Sequence, residues 1–200
     1  MLNQPPSAHD RASRKQSPVL STLQSRRGFS LIELMLTMAV AATLMAIAVP
    51  AMNAMSDATK LSAAAQQLER ELQTARMKAV TNNTPLRLRT NCPAAGYFRI
   101  VELLGTASDT AASRCNATTY PWPAADNDLA TTPNVDGPVR QLVNSATVTT
   151  ASIEFRPDGT AWDTSSGTAT AITTSVTITV TRNSKTRSIT VNRLGKVLLQ

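Results

Sequence analysis

Three sets of residues in this 200-residue chain have types and spacings that could do chemistry. The first is Glu33, the one charged residue in the apolar run from Phe29 to Pro50. A carboxylate placed in lipid costs about 2.5–3.5 kcal/mol, so something must compensate it. A helix N-terminus offers a partial positive dipole, and cleavage before Phe29 would add a free amino group; a neighbouring subunit can bring both. The second set is Cys92 and Cys115, which lie outside the cytoplasm if the apolar run is a membrane anchor. A disulfide is the expected state there, and closing that loop stabilises the domain by about 3 kcal/mol in the chain-entropy description. A zinc site fails for lack of ligands, since the one histidine is His9 and two distant cysteines do not make a tetrahedral set. The third set is Arg182, Lys185, Arg187, Arg193 and Lys196, which follow the last acidic residue, Asp163. Such a basic end could contact the phosphates of DNA. A solvated edge with charges that discourage strand pairing is the plainer and favoured reading.

Nothing in the chain assembles into a catalytic constellation. With no histidine after His9, a Ser-His or Cys-His nucleophile pair is excluded, and no Gly-rich phosphate loop occurs. Glu33 is read as an assembly residue, Asp158 as part of an Asp-Gly turn rather than a calcium ligand, and no cofactor is expected. The expectation is a non-enzyme. The net charge of +7 resembles that of a nucleic-acid binder until it is divided at Gly28. Residues 1–28 hold Arg11, Arg14, Lys15, Arg26 and Arg27 against Asp10, which leaves only a modest positive charge on the rest.

Particular elements must position these residues. Residues 1–28 are polar and rich in Ser, Pro, Gln and Arg, and read as a cytoplasmic leader without a fold. Residues 29–50 match the ~20 residues needed to cross a bilayer. Arg26 and Arg27 before this run orient it with the N-terminus in the cytoplasm. Residues 51–82 become amphipathic: Leu61, Ala65, Leu68, Leu72, Ala75 and Ala79 recur at steps of four and three, opposite Gln66, Gln67, Arg70, Glu71, Gln73 and Lys78. A nearly continuous helix from Phe29 to about Val80 would be some ~75 Å long, more than a small globule can enclose. Pro50 should kink or locally melt it, and Asn82-Asn83-Thr84-Pro85 should end it.

Residues 83–200 read as a β-rich extracytoplasmic domain, with strands at Leu86–Thr90, Tyr97–Leu104, Ser152–Arg156, Ile172–Arg182, Arg187–Asn192 and Lys196–Leu199. In Ser175–Thr181, Val and Ile alternate with Ser or Thr, and the chain then turns at Arg182-Asn183-Ser184-Lys185, so a hairpin with a polar Thr face is expected. Residues 105–150 read as long loops tied at one end by the disulfide. Trp122, between Pro121 and Pro123, is a binding anchor or a loop residue pinned to the core, the second being favoured. The fold class is α+β: one long N-terminal helix packed on a small antiparallel sheet.

The segment Arg26-Arg27-Gly28-Phe29-Ser30-Leu31-Ile32-Glu33-Leu34 closely resembles the signal of the type IV pilin family, which includes the type II secretion pseudopilins. The resemblance implies that a prepilin peptidase cuts after Gly28 and methylates Phe29. It also implies that Glu33 pairs with the N-terminus of an adjacent subunit, and that Pro50 matches a proline of the family's helix. The implied location is the bacterial inner membrane, single-pass with a periplasmic domain, and a filament after assembly. Further on, Ala75-Arg76-Met77-Lys78-Ala79-Val80, Ile153-Glu154-Phe155-Arg156-Pro157-Asp158-Gly159 and Ile189-Thr190-Val191-Asn192-Arg193-Leu194-Gly195-Lys196-Val197 resemble the GspH/FimT branch of minor pilins. Members of that branch prime or cap a type II secretion pseudopilus or a type IV pilus. Some bind DNA during natural transformation and carry a Gly-Arg-x-Arg signature, where this chain reads Gly195-Lys196-Val197-Leu198. One basic residue is kept there, and Lys still holds a phosphate as a point charge.

The rivals explain less. A twin-arginine signal fits Ser25–Phe29, and a secretory signal could end near Ala46-Ile47-Ala48, but neither places a glutamate in its apolar core. A lone single-span adhesin or sensor explains the length of the run but not Gly28, Phe29 and Glu33 together. The leader is longer than most in the family, which makes Val19 or Leu20 candidate alternative starts.

Overall fold

The computed structural model describes residues 28–106, 109, 112–122 and 136–200. The expected leader, residues 1–28, lies outside them except for Gly28, as does part of the expected loop region. The chain divides into two compact units, one up to Met45 and one from Ala46 to Gln200.

Helix α1 (Leu31–Asn82) begins in the first unit and runs on in the second. In the first unit every described side chain is exposed. The hydroxyls of Thr37 and Thr43 donate back to the carbonyls of Leu34 and Val40 at 2.9 and 2.8 Å, so neither leaves a polar hydrogen unsatisfied in the apolar run. In the second unit the helix continues through Pro50 without interruption. Of the kink or local melting expected at that residue, the melting does not occur, since proline removes a single N–H donor from the helix.

From Leu61 onward the helix buries a stripe of Leu61, Ala64, Ala65, Leu68, Leu72, Ala75 and Ala79, the expected face with Ala64 added. Two residues expected on the wet face are half-buried instead. Gln67 donates to the Gln141 carbonyl and accepts from Val143 N–H, and Glu71 pairs with Arg140. The helix ends in a Schellman arrangement: Asn83 takes φ 53, its N–H bonds the Val80 carbonyl, and Thr84 N–H reaches the Ala79 carbonyl at 3.2 Å. Asparagine tolerates this left-handed position, and Pro85 forbids further helix.

The rest of this unit forms two antiparallel sheets, where the sequence points to one small sheet. The first has the order β3-β2-β1-β5-β6-β7, from β1 (Leu86–Thr90), β2 (Tyr97–Glu102), β3 (Arg140–Gln141), β5 (Ser152–Phe155), β6 (Ala161–Asp163) and β7 (Thr170–Ala171). The second has the order β10-β9-β8-β4, from β4 (Thr147–Val148), β8 (Ser175–Arg182), β9 (Lys185–Asn192) and β10 (Val197–Leu199). Two-residue strands such as β3 and β4 are too short to show a period of two, which is why they read as loop. The expected strand over Ile172–Arg182 begins only at Ser175, as β8, after bends at Thr173 and Thr174; β7 ends just before it.

Both sheets turn their apolar faces to the α1 stripe, forming one core with Leu86, Leu88, Phe98, Ile100, Ile153, Phe155, Ile178, Val180, Ile189 and Val191. Register explains the alternation. Leu88 faces Ile100 on one side and Ile153 on the other, and Ile178 faces Ile189 across the β8–β9 hairpin, while Thr177 and Thr179 point the other way. The hairpin turns through Asn183 and Ser184, both with positive φ, as a two-residue connection requires.

The outer face of the first sheet is charged yet covered. Arg99 and Arg114 are fully buried there. Arg99 donates to the carbonyls of Gly137, Arg114 and Tyr120 at 2.7, 2.8 and 2.7 Å. Arg114 donates to Asp136 at 2.9 Å, to the Glu102 carbonyl at 2.5 Å, and lies over the Tyr120 ring. Burial pushes the Asp136 carboxyl up from its ordinary range, and the hydrogen bond and charge of Arg114 oppose that shift. A buried ion pair of this kind leaves no hydropathy signal in the sequence. Trp122 is 58% exposed, so it is not pinned to the core as favoured.

Candidate assembly segment and basic surfaces

The residues expected to be processed sit at the start of α1. Gly28 has open space where a Cβ would stand, and Phe29 is exposed. The local backbone therefore gives no reason for a glycine at this position. Ser30 precedes the first helical residue, and its carbonyl accepts from the N–H groups of Glu33 and Leu34 at 3.0 and 3.1 Å. Glu33 thus stands in the first turn, exposed, where the helix dipole favours a carboxylate. Ser30 and Glu33 also have the spacing of a capping box.

Cys92 and Cys115 are bonded to each other, with Cα atoms 5.0 Å apart and a sequence separation of 23. The bond joins the end of β1 to the segment that carries Arg114. It therefore holds in place the cover of the charged sheet face, which the sequence alone did not indicate.

The five C-terminal cations do not form one surface. Lys185 opens β9 and Arg193 follows its end, so the two residues stand roughly 26 Å apart at ~3.3 Å per residue. At the hairpin tip, Arg182 pairs with Asp57 at 3.6 Å and bonds the Asn144 carbonyl. Lys185 Nζ donates to the Ala54 carbonyl at 3.0 Å, and Arg187 is exposed opposite Val180. Asp57 is held below the usual carboxylate range, first by a hydrogen bond from the Asn183 side chain and then by the charges of Arg182, Lys60 and Lys185. The tip is therefore a knot of cations around one carboxylate on α1.

At the opposite end, Arg193 and Lys196 are exposed on the turn that joins β9 to β10. Gly195 N–H bonds the Asn192 carbonyl at 2.9 Å, and Lys196 N–H bonds Asn192 Oδ1 at 2.8 Å. Gly195 has φ +68, and a Cβ on it would stand 2.5 Å from the Gly159 carbonyl oxygen and 2.6 Å from Arg76 Nε. Arg76 Nε in turn donates to the Gly159 carbonyl at 3.2 Å. The three quoted segments of the GspH/FimT resemblance thus meet at one point: Arg76 of α1, Gly159 of the Arg-Pro-Asp-Gly turn, and Gly195. Here the glycine is demanded by close packing. Asp158 accepts from Thr160 N–H at 2.9 Å and Thr160 Oγ1 at 2.7 Å, as the turn reading requires. Arg76 and Asp57 were missed as partners of the C-terminal residues. Arg76 did stand inside a recognised segment, whereas the contacts of Asp57 span more than a hundred residues and leave no local signal.

Comparison with known proteins adds the following. A prokaryotic N-terminal methylation motif matches residues 23–49, which contain Gly28, Phe29 and Glu33. Two crystal structures of the type IV minor pilin FimU from Pseudomonas aeruginosa PAO1 are similar to this chain. One is 16% identical with a TM-score of 0.45, covering 73% of this chain and 92% of that one. The other is 16% identical with a TM-score of 0.41, covering 70% and 91%. No curated protein matches the chain. The family described as type II transport protein GspH matches residues 64–195, well over half of the sequence, and the protein belongs to that family, a type IV pilin-like group of minor pilins and pseudopilins.

Proposed function

We propose that this chain is a minor pilin or pseudopilin that is cleaved between Gly28 and Phe29 by a prepilin peptidase, methylated on Phe29, and built into the beginning or tip of a filament. In this reading residues 1–28 are the cytoplasmic leader, 29–50 the inner-membrane and assembly helix, 51–82 its amphipathic continuation and 83–200 the periplasmic domain. The observation that carries the proposal is the α1 segment from Leu31 to Lys60, which buries no side chain and places one carboxylate, Glu33, in its first turn. That surface needs lipid before assembly and like helices after it. Glu33 then finds its partner in the freed amino group of a neighbour, and Pro50 marks the exit from lipid. The open surroundings of Gly28 support recognition by an enzyme, since its own fold makes no use of a glycine.

Two variants test this in the native host. Gly28→Leu should leave the full-length precursor in the inner membrane. Glu33→Ala should give a processed protein that fails to enter filaments. A lone membrane-anchored adhesin or sensor requires the reverse for Glu33→Ala, with function intact.

DNA binding in natural transformation is the rival within the same family. Arg193 and Lys196 support it by their exposure, together with Arg76 beside them on α1. Arg182 is paired with Asp57 at the far tip, and Lys185 stands there too, away from Arg193 and Lys196, which weakens it. If DNA is a ligand, affinity should fall steeply with salt, and the Arg187→Glu, Arg193→Glu, Lys196→Glu variant should lose it. Equal binding by that variant and the parent would sink the DNA reading.

A further inference from the structure

The hairpin tip and the end of the apolar run meet at one level of α1, and that level has a physical meaning. Pro50 closes the run, and Ala54, whose carbonyl accepts from Lys185 Nζ at 3.0 Å, lies about 6 Å further along the helix. The headgroup layer on each side of a bilayer is of the same depth, about 5–8 Å beyond the hydrocarbon. Asp57 and Lys60 follow within about 15 Å of Pro50, inside the reach of long side chains to that layer.

The composition of this level suits such a layer. Met52 and Met55 are exposed on the helix on either side of Ala54. Lys60, Lys185 and Arg187 are exposed as well, and Asp57 is already occupied by Arg182 and Asn183. The remaining charge of the collar is positive, and exposed apolar side chains stand beside its cations, as in segments that sit at a membrane interface. Arg193 and Lys196 provide a contrast: they neighbour Arg76, about 39 Å along α1 from Pro50, where headgroups cannot reach.

We infer that Lys60, Lys185 and Arg187 form a cationic collar that rests on anionic phospholipid headgroups while the subunit waits in the membrane. This rests on the reading of residues 29–50 as a membrane span. The collar would hold the β8–β9 tip against the bilayer and would be released when the helix leaves lipid for the filament. Attraction of this kind is worth several-fold in local occupancy per cation and is screened by salt.

The full chain is inserted into lipid nanodiscs of pure phosphatidylcholine and into discs containing phosphatidylglycerol, and amine-labelling rates are measured lysine by lysine. Lys60 and Lys185 should label several-fold more slowly in the anionic discs and recover at high salt, while Lys78 and Lys196 should label alike in both. The Arg187→Gln variant should lose part of the protection at Lys185. Equal rates at Lys60 and Lys185 in the two discs would overturn the collar and leave the span intact. Protection of these lysines by duplex DNA but not by anionic lipid would overturn it in favour of nucleic acid. A chain that enters neither disc would overturn the span and the collar together.

Discussion

The two parts of α1 that meet near Leu61 are made of similar residues and meet different ends. From Leu31 to Lys60 no side chain is buried, although Leu, Ile, Val, Met and Ala dominate; from Leu61 to Asn82 seven are buried and the opposite face is polar. The second part obeys the rule of a helix in a soluble domain, an apolar stripe on a core. The first is apolar all round as far as Pro50, save for Glu33, which a domain of this size cannot satisfy by itself. One helix thus carries the subunit's own stability in its later turns and its dealings with lipid and other subunits in its earlier ones. A substitution should affect one or the other according to which side of Leu61 it falls.

The largest effect is expected where the stripe is deepest. Leu68→Ala or Leu72→Ala should destabilise the domain by about 2–5 kcal/mol, read by denaturant unfolding. Met38→Ala should leave the same midpoint unchanged and alter filament incorporation instead; a large shift in domain stability from Met38→Ala would break the comparison. Next comes the disulfide. Cys92→Ser with Cys115→Ser should cost about 3 kcal/mol and loosen the cover over Arg99 and Arg114, seen as faster amide exchange at β2. Gly195→Ala should cost about 1–3 kcal/mol, because the new Cβ meets the Gly159 carbonyl and Arg76 in a backbone region that alanine resists. The smallest effect is at Asp57. Its carboxyl is held below the ordinary 3.8, so its contribution is present above that pH and is lost as pH falls through the folded value. The stability difference between parent and Asp57→Asn should therefore shrink in acid, by thermal unfolding.

Much of this was legible in the residues. The stripe from Leu61 to Ala79 has helical spacing, Asn83 and Pro85 are the residue types that end helices, and the Val/Ile–Thr alternation of β8 announces a half-buried strand. What stayed hidden has physical reasons. Strands of two or three residues show no period. The Arg114–Asp136 pair and the Arg182–Asp57 contact join residues far apart in sequence, so no local pattern records them. The basic residues from Arg182 to Lys196 look like one cluster because they are close in sequence, yet an extended strand carries them to opposite ends of a hairpin. The Gly195 position, similar to a signature glycine, is fixed by a contact with α1 that only the folded chain brings about.

The most direct test of a processed, assembling subunit is to crosslink the protein in its native membrane, purify it, and read its N-terminal peptide and its neighbours by mass spectrometry. The expected result is a chain that starts at N-methylated Phe29 and is linked to other pilin-like subunits, type IV minor pilins or secretion pseudopilins naming the machine it serves. A peptide that still spans Gly28 and Phe29, with no such neighbours, would contradict it.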